Sequence, residues 1–388
     1  MTPSARVQAA INILDEVLAG APAEKALTGW ARRSRFAGSK DRAAIRDFVY
    51  QALRCKRSYA ALGGAEGGRG LMVGLARDTQ LEIDTFFDGL GYGAPPLSTE
   101  EQEAGRLPNA EETRDLPDWI WQAFEDSLGA TSAEQAAALL RQRAPIICRV
   151  NLRASSVNEA IELLSIEGVI AQPIALQDTA ILLTEGARKL AQSKAYRQGV
   201  VELQDANSQA AMREIDVPVG ARVLDYCAGG GGKTLALAAR VDAHWFAHDA
   251  VHKRMVDLPK RAKRAGVNVA LLEAEEIARN GPFDVVLCDV PCSGSGTWRR
   301  TPDAKWRLTP HRVKELQETQ RSILELARKL VKSDGQLIYS TCSVLAQENE
   351  QIITDCMRQS KRLTLQKQRF WPISATGDGF FLSVMQVQ

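Results

Sequence analysis

Hydrophobic positions near the start of the chain recur at spacings of three and four. Val7, Ala10, Ile11, Leu14, Val17 and Leu18 fall on one stripe, which predicts an amphipathic helix. A second helical stretch over 41–53 turns Ile45, Phe48, Val49 and Ala52 inward and leaves Arg42, Arg46 and Arg54 among the polar positions. The glycine-rich residues 63–70 break the pattern and 71–87 resume it, so they read as a loop inside one helical domain that continues past Trp119 and Trp121. Around Pro145 the character changes. Ile146-Ile-Cys-Arg-Val-Asn-Leu is a β-branched run, a helix passes through Leu163 and Leu164, and Thr179-Ala-Ile-Leu-Leu-Thr is strand-like, together a small α/β module. From about Gly199, short apolar runs alternate with helical segments: Arg222-Val-Leu-Asp-Tyr, Trp245-Phe-Ala-His-Asp, Asn268-Val-Ala-Leu-Leu, Phe283-Asp-Val-Val-Leu-Cys-Asp and Gly335-Gln-Leu-Ile-Tyr-Ser. That alternation predicts an α/β fold with a doubly wound, mostly parallel sheet. The expected division is therefore a helical domain over 1–140, a connecting α/β module over 141–198 and the sheet domain over 199–388.

Composition narrows the class. With 388 residues, 45% hydrophobic and 25% charged, the chain has ample length for two or three globular domains. It contains no apolar run of the roughly 20 residues that cross a bilayer, and its opening Met-Thr-Pro-Ser-Ala-Arg lacks the hydrophobic segment of a secretory signal. A cytoplasmic protein with no membrane partner is expected. Seven cysteines without a Cys-x-x-Cys pair, and four histidines without metal spacing, argue for free thiols rather than a disulfide framework or a metal site. The net charge of +2 and pI of about 8.1 are too weak to establish a nucleic-acid partner, so local clusters must decide.

The candidate chemistry lies in two loops that each follow a predicted strand: Cys292 in Asp289-Val-Pro-Cys-Ser-Gly-Ser-Gly and Cys342 in Ser340-Thr-Cys-Ser. Such loops stand at the rim of an open sheet, where ligands bind, and two thiols there point to covalent chemistry. A third loop, Asp225-Tyr-Cys-Ala-Gly-Gly-Gly-Gly-Lys-Thr, follows the first strand and opens a helix, so its backbone can approach a ligand closely. Its end mimics a P-loop, but the first glycine of that pattern falls on Cys227, and Asp225 would set a carboxylate against triphosphate oxygens. Asp249, at the end of the second strand, suits either a ribose diol or the cap of a following helix. Cys288 reads as core and Cys227 as packing in the glycine loop.

These segments, with Gln204-Asp-Ala-Asn-Ser-Gln, Arg299-Arg-Thr-Pro-Asp, Lys305-Trp, Glu348-Asn-Glu and Asp378-Gly-Phe-Phe, occur in the order that resembles the bacterial RsmB-type RNA cytosine methyltransferases of the Nop/Sun family. The resemblance spans nearly all of 199–388. The helical start is similar to that group's NusB-like RNA-binding domain, through Asp41-Arg-Ala and Leu53-Arg. It implies a Rossmann-like domain that transfers a methyl group from S-adenosylmethionine to carbon 5 of a cytosine in small-subunit ribosomal RNA. The resemblance assigns Cys342 as the thiol that adds to carbon 6 and Cys292 as the group that assists breakdown of the adduct. It sets Asp289 against the cytosine ring and gives Lys233 the part of stabilising the base or holding Asp289. For the cofactor it implies Cys227, Ala228, Gly229, Gly230, Gly231, Gly232 and Lys233 around the methionine part, Asp249 on the ribose, and Arg254, Glu273 and Asp289 nearby. Glu273 stands where the family commonly has Asp, with Glu275 and Glu276 as alternatives, and Gly230 replaces a frequent proline.

Arg299, Arg300, Lys305, Trp306 and Arg307 form a basic stretch with interleaved tryptophan that is expected to hold RNA phosphates and stack on an exposed base, or else to be a solvated charged loop. Arg32, Arg33, Arg35, Lys40 and Arg42 are expected to position the same RNA. A monomer is expected. The competing readings are a DNA cytosine methyltransferase, which leaves the Thr-Cys loop unexplained, and a non-catalytic RNA-binding assembly factor.

Overall fold

In the computed structural model, which describes residues 1–175 and 178–388, Thr2 accepts the Ala5 N–H at 3.1 Å and Pro3 begins the helix Pro3–Leu18. Both are favourable helix starts, one satisfying an orphan donor and the other lacking one. Val7, Ala10, Ile11, Leu14 and Val17 are buried as their spacing predicts. The chain divides into two units, one formed by residues 1–143 with 297–310 and the other by 144–296 with 311–388. The helical unit thus takes in a segment that the linear reading left inside the sheet domain. No helix among the described residues is long and apolar enough to cross a membrane.

Within the helical unit, residues 63–70 are not simply a loop. Helices Lys56–Gly63 and Gly68–Asp78 pack so closely that a Cβ on Gly63 would lie 1.9 Å from the Gly70 carbonyl oxygen, and one on Gly74 would lie 2.0 Å from that of Tyr59. The glycines are there to let two backbones touch, which a reading of glycine as a helix breaker misses.

The same unit corrects the expected RNA contacts. Arg299 and Lys305 are each only 1% exposed. Helix Ser39–Arg54 ends with carbonyls that have no intrahelical donor; Trp306 Nε1 donates to Leu53 O at 2.7 Å and Lys305 Nζ to Arg54 O at 2.8 Å. Arg54 is itself buried and donates through Nε to Arg299 O at 2.8 Å, so it does not belong with the polar positions. Trp298 stacks on Phe124 with ring centroids 5.8 Å apart. The basic and aromatic residues of this stretch are an internal fastener, their long stems buried and their polar tips spent on backbone oxygens. Arg300 and Arg307 remain exposed, Arg307 paired with Asp303 at 3.2 Å.

In the second unit, β1 (Ile146–Val150), β2 (Ile170–Pro173), β3 (Ala180–Glu185) and β4 (Val201–Leu203) form an antiparallel sheet in the order β2-β3-β1-β4. Helix Val157–Ile166 buries Ala160 and Leu164 in the same core. Because β4 pairs with β1, this sheet runs past residue 198.

The larger sheet comprises β5 (Arg222–Asp225), β6 (His244–Ala247), β7 (Val269–Leu271), β8 (Phe283–Asp289), β9 (Val331–Thr341), β10 (Leu363–Trp371) and β11 (Phe380–Val387), in the order β10-β11-β9-β8-β5-β6-β7. Strands β5 to β9 run parallel, and β11 and β10 add an antiparallel edge that the sequence pattern did not single out. Val285 and Leu287 enter one core with Ala211, Met212 and Leu237, while Val286 and Cys288 enter another with Leu324 and Ile352. Burial on both faces is why β8 reads as a continuous apolar run.

Two consequences are measurable. Helix propensity alone would favour Gly74→Ala by about 1 kcal/mol, but the collision with Tyr59 O is expected to outweigh it, and a denaturant melt should show a net loss of about 2 kcal/mol or more. Burial lowers Lys305 to about 8 from 10.5. The unfolded state therefore binds the extra proton between these values, and the cost of burying the charge is present below about pH 8 and relieved as pH rises toward 10.5. Relative to Lys305→Met, the wild type should gain on the order of 2 kcal/mol of stability between paired melts at pH 8 and pH 10.

Candidate active site

The sheet reverses its winding between β5 and β8: β5 to β7 step one way and β8 lies on the other side of β5. A crevice forms outside the carboxyl ends of strands at such a switch point. The loops after β5, β6, β8 and β9 meet at this rim and carry most of the expected site.

After β5, Asp225 is buried, and its carboxyl, raised to about 6 chiefly by burial, accepts the Thr234 hydroxyl at 2.6 Å. This bond ties the helix Gly232–Ala238 back to the strand end. Gly229 and Gly231 have φ of 49° and 75°, the left-handed region that favours glycine. A Cβ on Gly231 would meet Leu258 Cδ1 at 2.1 Å, and one on Gly229 would stand 3.9 Å from Asp249 Oδ2. Ala228 N–H donates to His248 O at 2.8 Å, and Gly230 O accepts from Arg261. The loop is therefore held open and braced without side chains of its own. Burial pushes the Cys227 thiol up, with Asp225 and Asp289 adding to the effect, so it stays neutral, in keeping with a packing role.

After β6, Asp249 is aimed by three donors. Its Oδ2 accepts Gly229 N–H at 2.9 Å and faces Arg254 Nη1 at 3.3 Å, and its Oδ1 accepts Val251 N–H at 2.9 Å. Glu273, after β7, is exposed, caps the helix Ala274–Asn280 with Glu276, and pairs with His252 Nδ1 at 2.9 Å. Asp249 and Arg254 thus share one cluster with the glycine loop, whereas the Glu273 carboxylate is turned to His252.

After β8 and β9 the expected chemical groups come together. Parallel register sets Asp289 opposite Ser340, so the two cysteine loops begin at the same level. Cys292 Sγ and Cys342 Sγ are 3.5 Å apart. Asp289 Oδ2 pairs with Lys233 Nζ at 2.5 Å, and its Oδ1 accepts Ser340 Oγ at 3.0 Å. Burial works against a charged Lys233, but the neighbouring Asp289 charge and hydrogen bond prevail and hold the ammonium above its ordinary value. The Cys292 thiol is pushed well up, first by its hydrogen bond with Cys342, then by burial and by the charges of Cys342 and Glu348. Cys288 is buried in the core, as its apolar setting predicts.

Other quoted segments close the same region. Gly296 N–H donates to Cys342 O at 2.9 Å, and Gly379 N–H to Gly296 O at 3.0 Å. Asn207 Nδ2 donates to Asp378 O at 2.7 Å and Asp378 N–H to Asp205 at 3.0 Å. Sequence reasoning missed Ser340 as a partner of Asp289 and Phe380, whose ring lies 5.2 Å from Lys233 Nζ. The place of Phe380 in Asp378-Gly-Phe-Phe was its one signal; a serine inside a strand gives none.

A family model described as 16S rRNA methyltransferase RsmB/F matches residues 216–386, and a second, described as an RsmF/B-like ferredoxin-like domain, matches 116–188. The chain is 31% identical over 321 residues to a probable ribosomal RNA small subunit methyltransferase B of Bacillus subtilis (strain 168), covering 81% of this chain and 67% of that one. It is 30% identical over 287 residues to a ribosomal RNA small subunit methyltransferase B of Yersinia pestis bv. Antiqua (strain Angola), covering 68% and 65%. The chain thus spans about two thirds of the length of these relatives. A crystal structure of a methyltransferase homolog from Pyrococcus horikoshii shares the fold, with a TM-score of 0.60 at 24% identity over 69% of this chain and 94% of that one. With the glycine loop, the paired thiols and the Lys233–Asp289 pair at one rim of a Rossmann-like sheet, the chain belongs to the RsmB/F family of 16S rRNA methyltransferases, whose cofactor is S-adenosylmethionine.

Proposed function

We propose that this protein methylates carbon 5 of a cytosine in small-subunit ribosomal RNA through a covalent adduct on Cys342. The observation that carries the reading is the 3.5 Å separation of two thiols beside a lysine–aspartate pair. One thiol suffices for simple nucleophilic catalysis; two within reach of the same atom pair allow one to add and the other to handle a proton.

The cofactor residues fit. The glycine backbone leaves, beside the Asp249 carboxylate, the room that a side chain at 229 would fill, and that carboxylate, fixed by the Gly229 and Val251 N–H groups, would accept from a ribose diol. S-adenosylmethionine, when bound, supplies an electrophilic methyl group on a sulfonium sulfur. In the proposed reaction the Cys342 sulfur, its proton given up to solvent, bonds to carbon 6 as a thiolate. The carbon 5–carbon 6 π electrons shift toward carbon 4 and N3 to give an enamine, and carbon 5 becomes nucleophilic enough to take the methyl as the sulfur–methyl bond breaks and S-adenosylhomocysteine leaves. Asp289, held from one side by Lys233 and from the other by Ser340, faces the ring, and the Lys233 ammonium offsets negative charge gathering there.

Release follows from the same geometry. The hydrogen bond and charge of Cys342 are among the causes that keep Cys292 a thiol. Both vanish once the Cys342 sulfur is a neutral thioether, so Cys292 ionises more easily in the adduct than in the free enzyme. Once its own proton has passed to solvent, the Cys292 thiolate takes the carbon 5 proton. The electron pair of that carbon–hydrogen bond re-forms the carbon 5–carbon 6 double bond as the carbon 6–sulfur bond breaks and the Cys342 thiolate leaves. The base must be out of a helical stack for carbon 6 to be reached, which favours single-stranded or partly assembled RNA.

Cys342→Ala should lower methyl transfer to unmodified 16S RNA by about 1,000-fold or more while binding S-adenosylhomocysteine with nearly wild-type affinity. Near-normal turnover in a filter assay would refute the nucleophile. Asp249→Ala should weaken S-adenosylhomocysteine by roughly 10- to 100-fold in calorimetry, the value of one charged hydrogen-bonding group; an unchanged isotherm would remove Asp249 from the cofactor site.

A further inference from the structure

Beneath the two thiols lies a carboxylate that the proposed chemistry does not use. Glu348 is 0% exposed. Its Oε1 accepts the Ser293 N–H at 2.8 Å and Gln320 Nε2 at 3.1 Å; its Oε2 accepts Ser343 Oγ at 2.6 Å and the Ser293 hydroxyl. Ser293 directly follows Cys292, and Ser343 directly follows Cys342. Gln320 also donates to Pro291 O at 3.0 Å, so the chain is gripped on both sides of Cys292. The Glu348 backbone is fixed in turn: its N–H donates to Leu345 O at 2.9 Å and its carbonyl accepts the Tyr339 hydroxyl.

All four donors to this carboxylate are neutral, and they come from both cysteine loops and the helix Pro310–Arg328. A buried charge is tolerated without a counter-ion only when it is fully hydrogen-bonded, and here the bonding joins the immediate neighbours of both thiols. We infer that Glu348 is a positioning residue that holds the Cys292 and Cys342 loops in register so that both sulfurs reach one base, an inference that rests on the two-thiol reaction above. Its charge also acts on Cys292, helping to keep that sulfur protonated in the free enzyme.

Phenylarsine oxide tests the clamp without RNA or methyl donor. The arsenic bridges two nearby thiols, forming two As–S bonds as its oxygen leaves with both thiol protons as water. Wild type should take up one equivalent through this pair, and Cys292→Ala should lose it. Glu348→Ala should weaken capture by about tenfold or more and lower kcat by about 100-fold, with KM for the methyl donor within about twofold, as expected when reacting groups are misplaced by an ångström. Glu348→Gln keeps an acceptor for Ser293 N–H and Gln320, and its amide can donate to the serine hydroxyls, so capture should recover to within about threefold of wild type. Should Glu348→Ala fail to fold, Ser343→Ala, which removes one arm, should show the same loss in smaller measure. Wild-type capture in folded Glu348→Ala, or in Ser343→Ala, would overturn the inference. Lost capture in Glu348→Ala alongside a wild type that methylates no RNA would uphold the clamp and refute the reaction.

Discussion

The register between β8 and β9 is the constraint on which the rest of the site depends. Asp289 stands opposite Ser340, and from that level each chain has only a few residues in which to reach its cysteine. Side chains alternate faces along a strand, so a slip of one residue would turn Asp289 away from Lys233 and bring Cys288 toward the rim. The two β-branched and apolar cores on either side of β8 make such a slip costly, since it would exchange Val285 and Leu287 with Val286 and Cys288. Stability and geometry are therefore fixed by the same residues.

On that foundation the polar groups fall into two layers. At the rim, Lys233, Asp289, Cys292 and Cys342 face the crevice; beneath it, Ser293, Ser343, Asn349 and Glu348 bind the loops to one another, with Thr341 Oγ1 donating to Asn349 Oδ1 at 2.6 Å. The lower layer ties the loops into one scaffold, as reactions controlled by sulfur–carbon distance require. In the proposed cycle the thiols exchange character because each is part of the other's environment, and no movement of the backbone is needed for Cys292 to change from thiol to base.

Much of this was legible in the sequence. Short apolar runs alternating with helical segments marked β5, β6 and β8, spacings of three and four marked the helix Pro3–Leu18, and the residue order Pro-Cys before Thr-Cys carried the family. What escaped reading had physical causes. Gly63 and Gly70 looked like breakers because close approach of two helices leaves no trace in one strand of sequence. Lys305 and Trp306 looked like an RNA surface because a basic aromatic segment that caps helix carbonyls has the same composition as one that stacks on bases. The edge strand β10 was overlooked where Gln366, Lys367 and Arg369 dilute the apolar pattern, and Glu348 was quoted for resemblance alone because Ser293 and Gln320, which it joins to Ser343, are far from it in the chain.

That Cys342 bonds to the base and Cys292 releases it is tested most directly by incubating Cys292→Ala with radiolabelled S-adenosylmethionine and unmodified 16S RNA and running the mixture on a denaturing gel. A labelled protein–RNA band should withstand denaturation, be absent from wild type, and map to the peptide containing Cys342. A freely turning-over Cys292→Ala enzyme with no such band, or an adduct mapped to any other residue, would contradict it.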